Sequence, residues 1–244
     1  MPSPARARTL LAAAGAIAGL CAAVPAAAQG LRVRAEPAPH SYWVANVIYR
    51  APARVAPART ARVKLDIDPT TEWGTPTELL VVATAGAGPQ RWLRVDLDRR
   101  PNGTALWIEA RFATLTVDPW SVHVSRAHRS VAVYYRGRRR RLFRAVVGKP
   151  STPTPSGLYA IAAEIRQRDP AGFVGSWVMP LTAHSDVLHR FDGGDGQVAL
   201  HGRGGVSLLD PLGTALSHGC VRLANTAIDW IAAHVPIGTP VRIS

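Results

Sequence analysis

The sequence predicts a mainly β protein, built as two successive β units with a single short helix near the C-terminus. Three observations predict it. Gly (21) and Pro (20) recur through the 244 residues and cut the apolar runs into short pieces. The stretches between them rarely carry a helical period, which favours strands and turns. Hydrophobic residues make up 47% of the chain and include seven Trp, so there is ample material for a core in each unit.

The first residues are set aside from the fold. Arg6 and Arg8 form a charged start, Thr9 to Val24 is almost wholly small or apolar, and Ala26-Ala27-Ala28 supplies a small-x-small pattern before Gln29. The apolar run is short for a spanning helix, so residues 1–28 are expected to be a removed secretory signal, with an uncleaved anchor as the alternative. Lipid modification of Cys21 is disfavoured because bulky Leu20 stands where a small residue is wanted. No later segment is apolar enough to cross a bilayer, so the mature chain is expected outside the cytoplasm, secreted or periplasmic.

Residues 29–47, rich in Pro, Ala and Arg, read as an exposed lead-in. Residues 48–118 then read as a small all-β unit with strands near 61–67, 78–84, 91–97 and 105–110. In the third, alternation sends Leu93, Val95 and Leu97 to a core face and Trp92, Arg94 and Asp96 to the opposite one. Arg100-Pro-Asn-Gly103 is a turn before the fourth.

The second unit covers residues 121–244. Ser130–Tyr135 and Arg141–Val147 flank an Arg-Gly turn and read as a hairpin, with the arginines 138–141 after Gly137 expected in its solvated turn. The segment Gly148–Gly157 has too many prolines for a central strand. Leu158–Ile165 resumes a strand pattern. Late in the chain, Asn225 is expected as the N-cap of a helix carrying Ile228, Ile231, Ala232 and Val235, stopped by Pro236 and Gly238.

The formal net charge is +13, nearly all of the cations being Arg, and it falls by two when Arg6 and Arg8 leave with the signal. Such a chain suits an anionic surface. The arginines are dispersed and no recognition motif stands among them, so nucleic acid is not expected as a partner.

Cysteine use narrows the chemistry. Removal of Cys21 leaves Cys220 alone, and one cysteine cannot form an internal disulfide. It is a buried inert thiol, half of an intermolecular bridge, or a nucleophile. Its neighbours favour the last. If Ser217-His-Gly-Cys-Val-Arg-Leu223 is extended, His218, Cys220 and Arg222 share a face while Val221 and Leu223 point into the core.

A thiol with a pKa near 8.5 is only about 3% thiolate at pH 7, so it needs a base or a cation beside it. Neighbours two apart on a strand lie roughly 6.5 Å apart, too far for a direct His218–Cys220 hydrogen bond. His201, on a second strand Gln197–Gly202 and fifteen residues before Ser217, is the better base. Gly219 lets the backbone turn so that the amides of Gly219 and Cys220 face a developing oxyanion. His184, His189, His201, His218 and Cys220 show no metal-ligand spacing, so neither a metal nor another cofactor is expected.

Taken together, His201-Gly202, Ser217-His-Gly-Cys-Val-Arg-Leu223, Gly148-Lys-Pro150, Thr152-Pro-Thr-Pro-Ser-Gly157 and Asn225 resemble the L,D-transpeptidase catalytic domain (YkuD type) over residues 121–244. Arg203 departs from the small polar residue that often follows His-Gly in that family. The resemblance implies a β-sandwich with Cys220 as nucleophile, His201 as base, and the Gly202 carbonyl orienting the imidazole. His218 and Gly219 complete the catalytic loop, and Arg222, Ser217 and Tyr159 are the expected substrate contacts.

The implied reaction begins with attack on the bond after the L-centre of a diamino acid in a peptidoglycan tetrapeptide stem. D-Ala leaves, a thioester forms, and the side-chain amine of a second stem resolves it to a 3→3 cross-link. Partners would be stem peptides as donor and acceptor, with anionic wall polymers as an electrostatic surround. Water as acceptor would make it an L,D-carboxypeptidase, and an idle site would leave a wall-binding protein.

Separately, Trp92-Leu-Arg-Val95, Arg100-Pro-Asn-Gly-Thr104 and Trp107-Ile-Glu-Ala110 resemble bacterial SH3-like modules over residues 48–118. This implies a small β-barrel that binds wall components or packs on the catalytic domain.

Overall fold

A computed structural model describes residues 31–191 and 193–244. The expected secretory signal and Cys21 lie outside the described residues. Among those described, no helix is long and apolar enough to cross a membrane.

Seven strands come first: β1 (Tyr42–Val47), β2 (Ala51–Arg54), β3 (Val63–Ile67), β4 (Glu78–Ala85), β5 (Trp92–Asp96), β6 (Ala105–Glu109) and β7 (Ala113–Asp118). They form one sheet in the order β3-β2-β6-β5-β4-β1-β7. Its core holds Ala45, Val81, Leu93, Val95 and Ile108, so the expected inward face of β5 is the inward face observed.

The strand β1 departs from the exposed lead-in expected up to residue 47. It sits between β4 and β7, with Trp43 opposite Val117 and Val44 opposite Leu80. The partner that orders it lies about 70 residues away, and local composition carries no trace of that pairing.

The chain continues through β8 (Trp120–Ser125), β9 (Ser130–Tyr135), β10 (Arg138–Arg144), β11 (Val147–Gly148), β12 (Gly157–Ala160) and β13 (Ile165–Arg166). Then follow β14 (Trp177–His184), β15 (Gln197–His201), β16 (Ala215–Ser217), β17 (Val221–Arg222), α1 (Asn225–Ala232) and β18 (Pro240–Ile243). A five-stranded sheet runs β10-β9-β8-β18-β12 and a four-stranded one β13-β14-β15-β17; β11 and β16 pair separately. Between them lies a shared core including Val122, Val133, Ile161, Leu181, Leu200 and Val241. The helix α1 contributes Ala227, Ile228 and Ile231 to that core.

Two local expectations change. The hairpin turn between β9 and β10 is Arg136-Gly137, both with positive φ (49° and 74°), the geometry of a two-residue turn that follows the strand twist. Arg138 to Arg141 are therefore strand rather than turn, exposed along an edge of the five-stranded sheet. Four adjacent cations are tolerated there because an edge strand has solvent on its free side, and charge blunts pairing with other chains. At the helix, Ala224 and not Asn225 is the N-cap. The Asn225 carboxamide is used for loop contacts described below.

The face of β5 expected to meet solvent is buried as well. Trp92 is 9% exposed and Asp96 1%. For Asp96 the cause is tertiary, since Thr182 of strand β14 lies against it and donates its hydroxyl to Asp96 Oδ2 at 2.6 Å. Leu80 and Val82 of β4 join Leu158 and Ala160 of β12 in one apolar cluster that crosses the seam.

Polar ties complete the junction. Asn102 Nδ2 donates to the His184 carbonyl (2.7 Å) and the His184 amide donates to Asn102 Oδ1 (2.8 Å). Arg100 donates to the carbonyls of Ser185, Leu188 and Asp195, and Thr239 donates to Asp118 at 2.5 Å. The Pro-Asn-Gly turn read from the sequence is thus also a docking element.

Burial at this seam raises the pKa of Asp96 to about 8, chiefly by desolvation and only partly countered by the Thr182 hydrogen bond. An acid whose folded-state pKa lies above its unfolded value holds its proton more tightly when folded. Stability from this group is therefore greatest in acid and falls as pH rises from about 4 towards 8. Asp96→Asn should flatten that decline and be more stable than the parent at pH 8. Denaturation midpoints at pH 5 and pH 8 check this, and an equal slope in parent and variant would refute it.

Candidate active site

The site is assembled by one parallel pairing. Strand β15 runs beside β17 with Leu200 opposite Val221 and His201 opposite Arg222. Cys220, immediately before β17, is thereby brought alongside the end of β15. His201, His218, Cys220 and Arg222 all line one narrow cleft, together with Phe173, Phe191 and Gln197.

His201 is buried, and its Nδ1 lies 2.7 Å from the Gly202 carbonyl oxygen. A carbonyl only accepts, so Nδ1 carries the proton and Nε2 has the free lone pair. Burial, assisted by the nearby Arg222 charge, lowers the imidazole pKa to about 4 against the opposing pull of that hydrogen bond. The ring is therefore neutral and able to act as a base at physiological pH.

Gly202 is required by space. A Cβ there would meet Asn225 Oδ1 at 2.2 Å and Gly175 Cα at 3.0 Å. Asn225 Oδ1 accepts from the Arg203 amide (2.9 Å) and the Ser176 amide (3.4 Å), tying together the loops that flank the histidine.

The cysteine loop is held from below. Ser217 is buried, donates its hydroxyl to the Cys220 carbonyl at 2.6 Å and accepts from the Gly219 amide at 3.2 Å. Gly219 has φ of +127°, a conformation that side-chain-bearing residues avoid. The expected pair of oxyanion donors is thus reduced, because the Gly219 amide is spent on Ser217. Only the Cys220 amide has no partner among the described residues.

Thr154 donates to the Gly219 carbonyl (2.8 Å) while accepting from the Gly148 amide (2.9 Å), and Thr152 donates to the Ser217 carbonyl (3.3 Å). The proline-rich stretch before β12 is therefore a brace for the nucleophile loop. Alternating Thr and Pro was the visible signal, but its target was not.

Around the cleft, Arg222 is buried, ion-paired with Asp210, and stacked 4.8 Å above the Phe173 ring. His218 is exposed at the rim, stacked on Phe191 with centroids 5.0 Å apart, and its Nε2 lies 3.4 Å from Lys149 Nζ. Segment 218–220 is not extended strand, so the expected shared face of His218, Cys220 and Arg222 arises from a turn.

Two expected substrate contacts fall elsewhere. Tyr159 is a core residue whose hydroxyl donates to the Ser156 carbonyl at 3.0 Å, and it does not line the cleft. Ser217 serves as a loop brace, as its two hydrogen bonds show. Asp210, Phe173 and Phe191 were not singled out from sequence. Exposed aromatics in Gly-rich loops were the available hint for the two phenylalanines.

Burial pushes the Cys220 thiol above its usual range, opposed by a backbone contact at Ala199 and the Arg222 charge. The resting pair is thus neutral thiol and neutral imidazole, not a preformed ion pair. Alkylation of Cys220 by iodoacetamide should be slow at pH 7 and rise only above the ordinary thiol range of about 8.5. Rates measured from pH 5 to 10 check it, and a plateau below pH 7 would overturn the neutral-pair assignment.

Comparison with known proteins bears on this arrangement. Residues 119–243 match the family model of the L,D-transpeptidase catalytic domain, YkuD. The YkuD protein of Bacillus licheniformis is 30% identical over 126 residues, which is 52% of this chain and 66% of that protein. The Bacillus subtilis YkuD protein is 28% identical over the same shares. The similarity therefore spans 66% of the length of these curated relatives. Among solved structures, an L,D-transpeptidase from Mycobacterium smegmatis covers 68% of this chain and 90% of its own at 17% identity and a TM-score of 0.40. With more than half of its residues matched by the family model, the chain belongs to the L,D-transpeptidase family, carrying its YkuD catalytic domain in residues 119–243.

Proposed function

We propose that this protein is an exported, cysteine-dependent L,D-transpeptidase that forms 3→3 cross-links between peptidoglycan tetrapeptide stems. The observation that carries the reading is the neutral imidazole of His201, its tautomer set by the Gly202 carbonyl, opening onto the same cleft as Cys220.

Nucleophile activation would be concerted. As Cys220 Sγ attacks the carbonyl carbon after the L-centre of the diamino acid, its proton passes to His201 Nε2. The Cys220 amide stabilises the oxyanion. Collapse breaks the C–N bond, His201 protonates the departing D-Ala amine, and the acyl group remains as a thioester on Cys220. An acceptor amine then attacks the thioester carbon. Its proton goes to His201, the C–S bond breaks, and the thiol recovers its proton.

Arg222 and His218 line the cleft where a stem carboxylate would lie, with the Arg222 charge shared with Asp210. Export by the leader 1–28, an SH3-like role for residues 48–118, and retention on anionic wall polymers belong to the same reading. The exposed arginines of β10 supply a face for that retention.

The protein is incubated with tetrapeptide-stem muropeptides and the products are read by mass spectrometry. Cross-linked dimers are expected, with an acyl-enzyme on Cys220. Cys220→Ala should abolish turnover, and His201→Gln should lower it by about 10² to 10⁴. Trimmed tripeptides without dimers would make water the acceptor, and binding without turnover would sink both enzymatic readings.

A further inference from the structure

Beside the narrow cleft at Cys220 lies a larger cavity, about 1110 Å³, formed between the seven-stranded sheet and strands β14 and β15. Its charge runs against that of the molecule. In a chain of net charge +13, seven of the 16 acidic residues line this one cavity. The cations along its wall are Arg99, whose charge acts on Asp98, and Arg100, which is committed to three backbone carbonyls. Asp66 and Asp68 are matched by Arg50 at 3.3 and 3.6 Å, and His184 sits between Asp98 and Asp195.

Glu72 and Glu78 have no ion pair among the described residues. Asp96 lines the cavity, is 1% exposed, and leaves Oδ1 with no hydrogen-bond partner among the described residues. A buried carboxyl oxygen with no hydrogen-bond partner is costly unless a ligand supplies one. Trp73, Ile165 and Val178 give the same cavity an apolar wall. Phe191, Gly196 and Gln197 line both this cavity and the cleft that holds His201 and Cys220, so the two adjoin along a shared wall.

We propose that this cavity is the acceptor site: it receives a peptide bearing a primary ammonium, draws it in with Glu72, Glu78 and Asp98, and delivers it along the Phe191–Gln197 wall to the thioester. The proposal rests on the transpeptidase reading and specifies which substrate the N-terminal sheet helps to bind. The aliphatic arm of the acceptor lies on the apolar wall, and its ammonium lies among the carboxylates. One of them takes the ammonium proton before attack, leaving the neutral amine that forms the C–N bond. Burial and mutual repulsion among these acids support that role, since Asp98 is pushed up to about 7, by desolvation first and then by Asp195 and Glu72.

The test separates the two half-reactions in the full chain. Donor acylation is followed by D-Ala release and by the mass of the Cys220 adduct. Acceptor use is followed by dimer formation against increasing tetrapeptide stem carrying lysine or diaminopimelate at its third position, beside the same stems N-acetylated on the side chain. Glu72→Gln/Glu78→Gln should raise the acceptor concentration for half-maximal cross-linking about tenfold relative to the acylation rate, and Glu72→Lys further. Direct titration of the amine-bearing stems into Cys220→Ala protein, with and without the Glu changes, should show the same weakening without turnover. An unchanged acceptor dependence on a normally acylating enzyme would overturn the acceptor assignment. So would equal losses in both half-reactions, which would place the donor in this cavity. Failure of the parent protein to acylate at all would instead overturn the transpeptidase reading.

Discussion

The parallel pairing of β15 with β17 is the constraint on which the site depends. It aligns His201 with Arg222 and sets Cys220 at the entry of the second strand, although fifteen residues separate the histidine from Ser217. Everything around it protects that register. Gly202 lets Asn225 close over the end of β15, where any Cβ would displace it. Thr152, Thr154 and Ser217 hold the carbonyls and amides of the 217–220 turn, so the nucleophile is presented by hydrogen bonds instead of a continuous strand. Positioning of this kind matters because small misplacements of a reacting group cost large factors in rate.

The second theme is charge against burial. The His201 imidazole is kept neutral by desolvation, and the Cys220 thiol is kept protonated by the same cause. The two shifts are complementary, because a base that is unprotonated at rest can take the proton that the thiol retains. At the junction of the two halves the same physics acts on carboxylates. Asp96, Asp98 and Glu78 are held above their usual range, foremost by burial. Acidic groups are thus concentrated in one cavity of an otherwise basic molecule.

Much of the architecture was legible from local pattern. Period-two alternation identified β5 and β15, and the hairpin pattern identified β9. The late apolar spacing with its Pro and Gly stop identified α1, because amphipathic periodicity is a local property of the chain. Cys220 and His201 were legible as partners from residue chemistry and spacing, and Gly202 as the carbonyl that orients the ring from family resemblance. Less was legible wherever one element met another. The alternation in β5 implied a wet face, yet Trp92 is buried and Asp96 lies under Thr182 of β14. The arginine run suggested a turn, yet positive φ at Arg136 and Gly137 places the turn just before it. Tyr159 suggested a substrate contact, yet its ring completes the core.

By itself, then, the sequence determined the residue chemistry: one thiol in residues 31–244, a histidine at the right separation, a glycine-hinged loop, and strands short enough for two β units. These follow from side-chain type and from periodicities spanning a few residues. The tertiary structure decided which histidine nitrogen is free, which amide remains for an oxyanion, and that Asn225 ties loops instead of capping a helix. It also decided that acids distant in sequence share one cavity. Those outcomes depend on desolvation and on hydrogen bonds, some between near neighbours such as His201 and Gly202 whose geometry packing sets. Others join residues about 20 to 120 positions apart, and such terms take values only when the elements have packed.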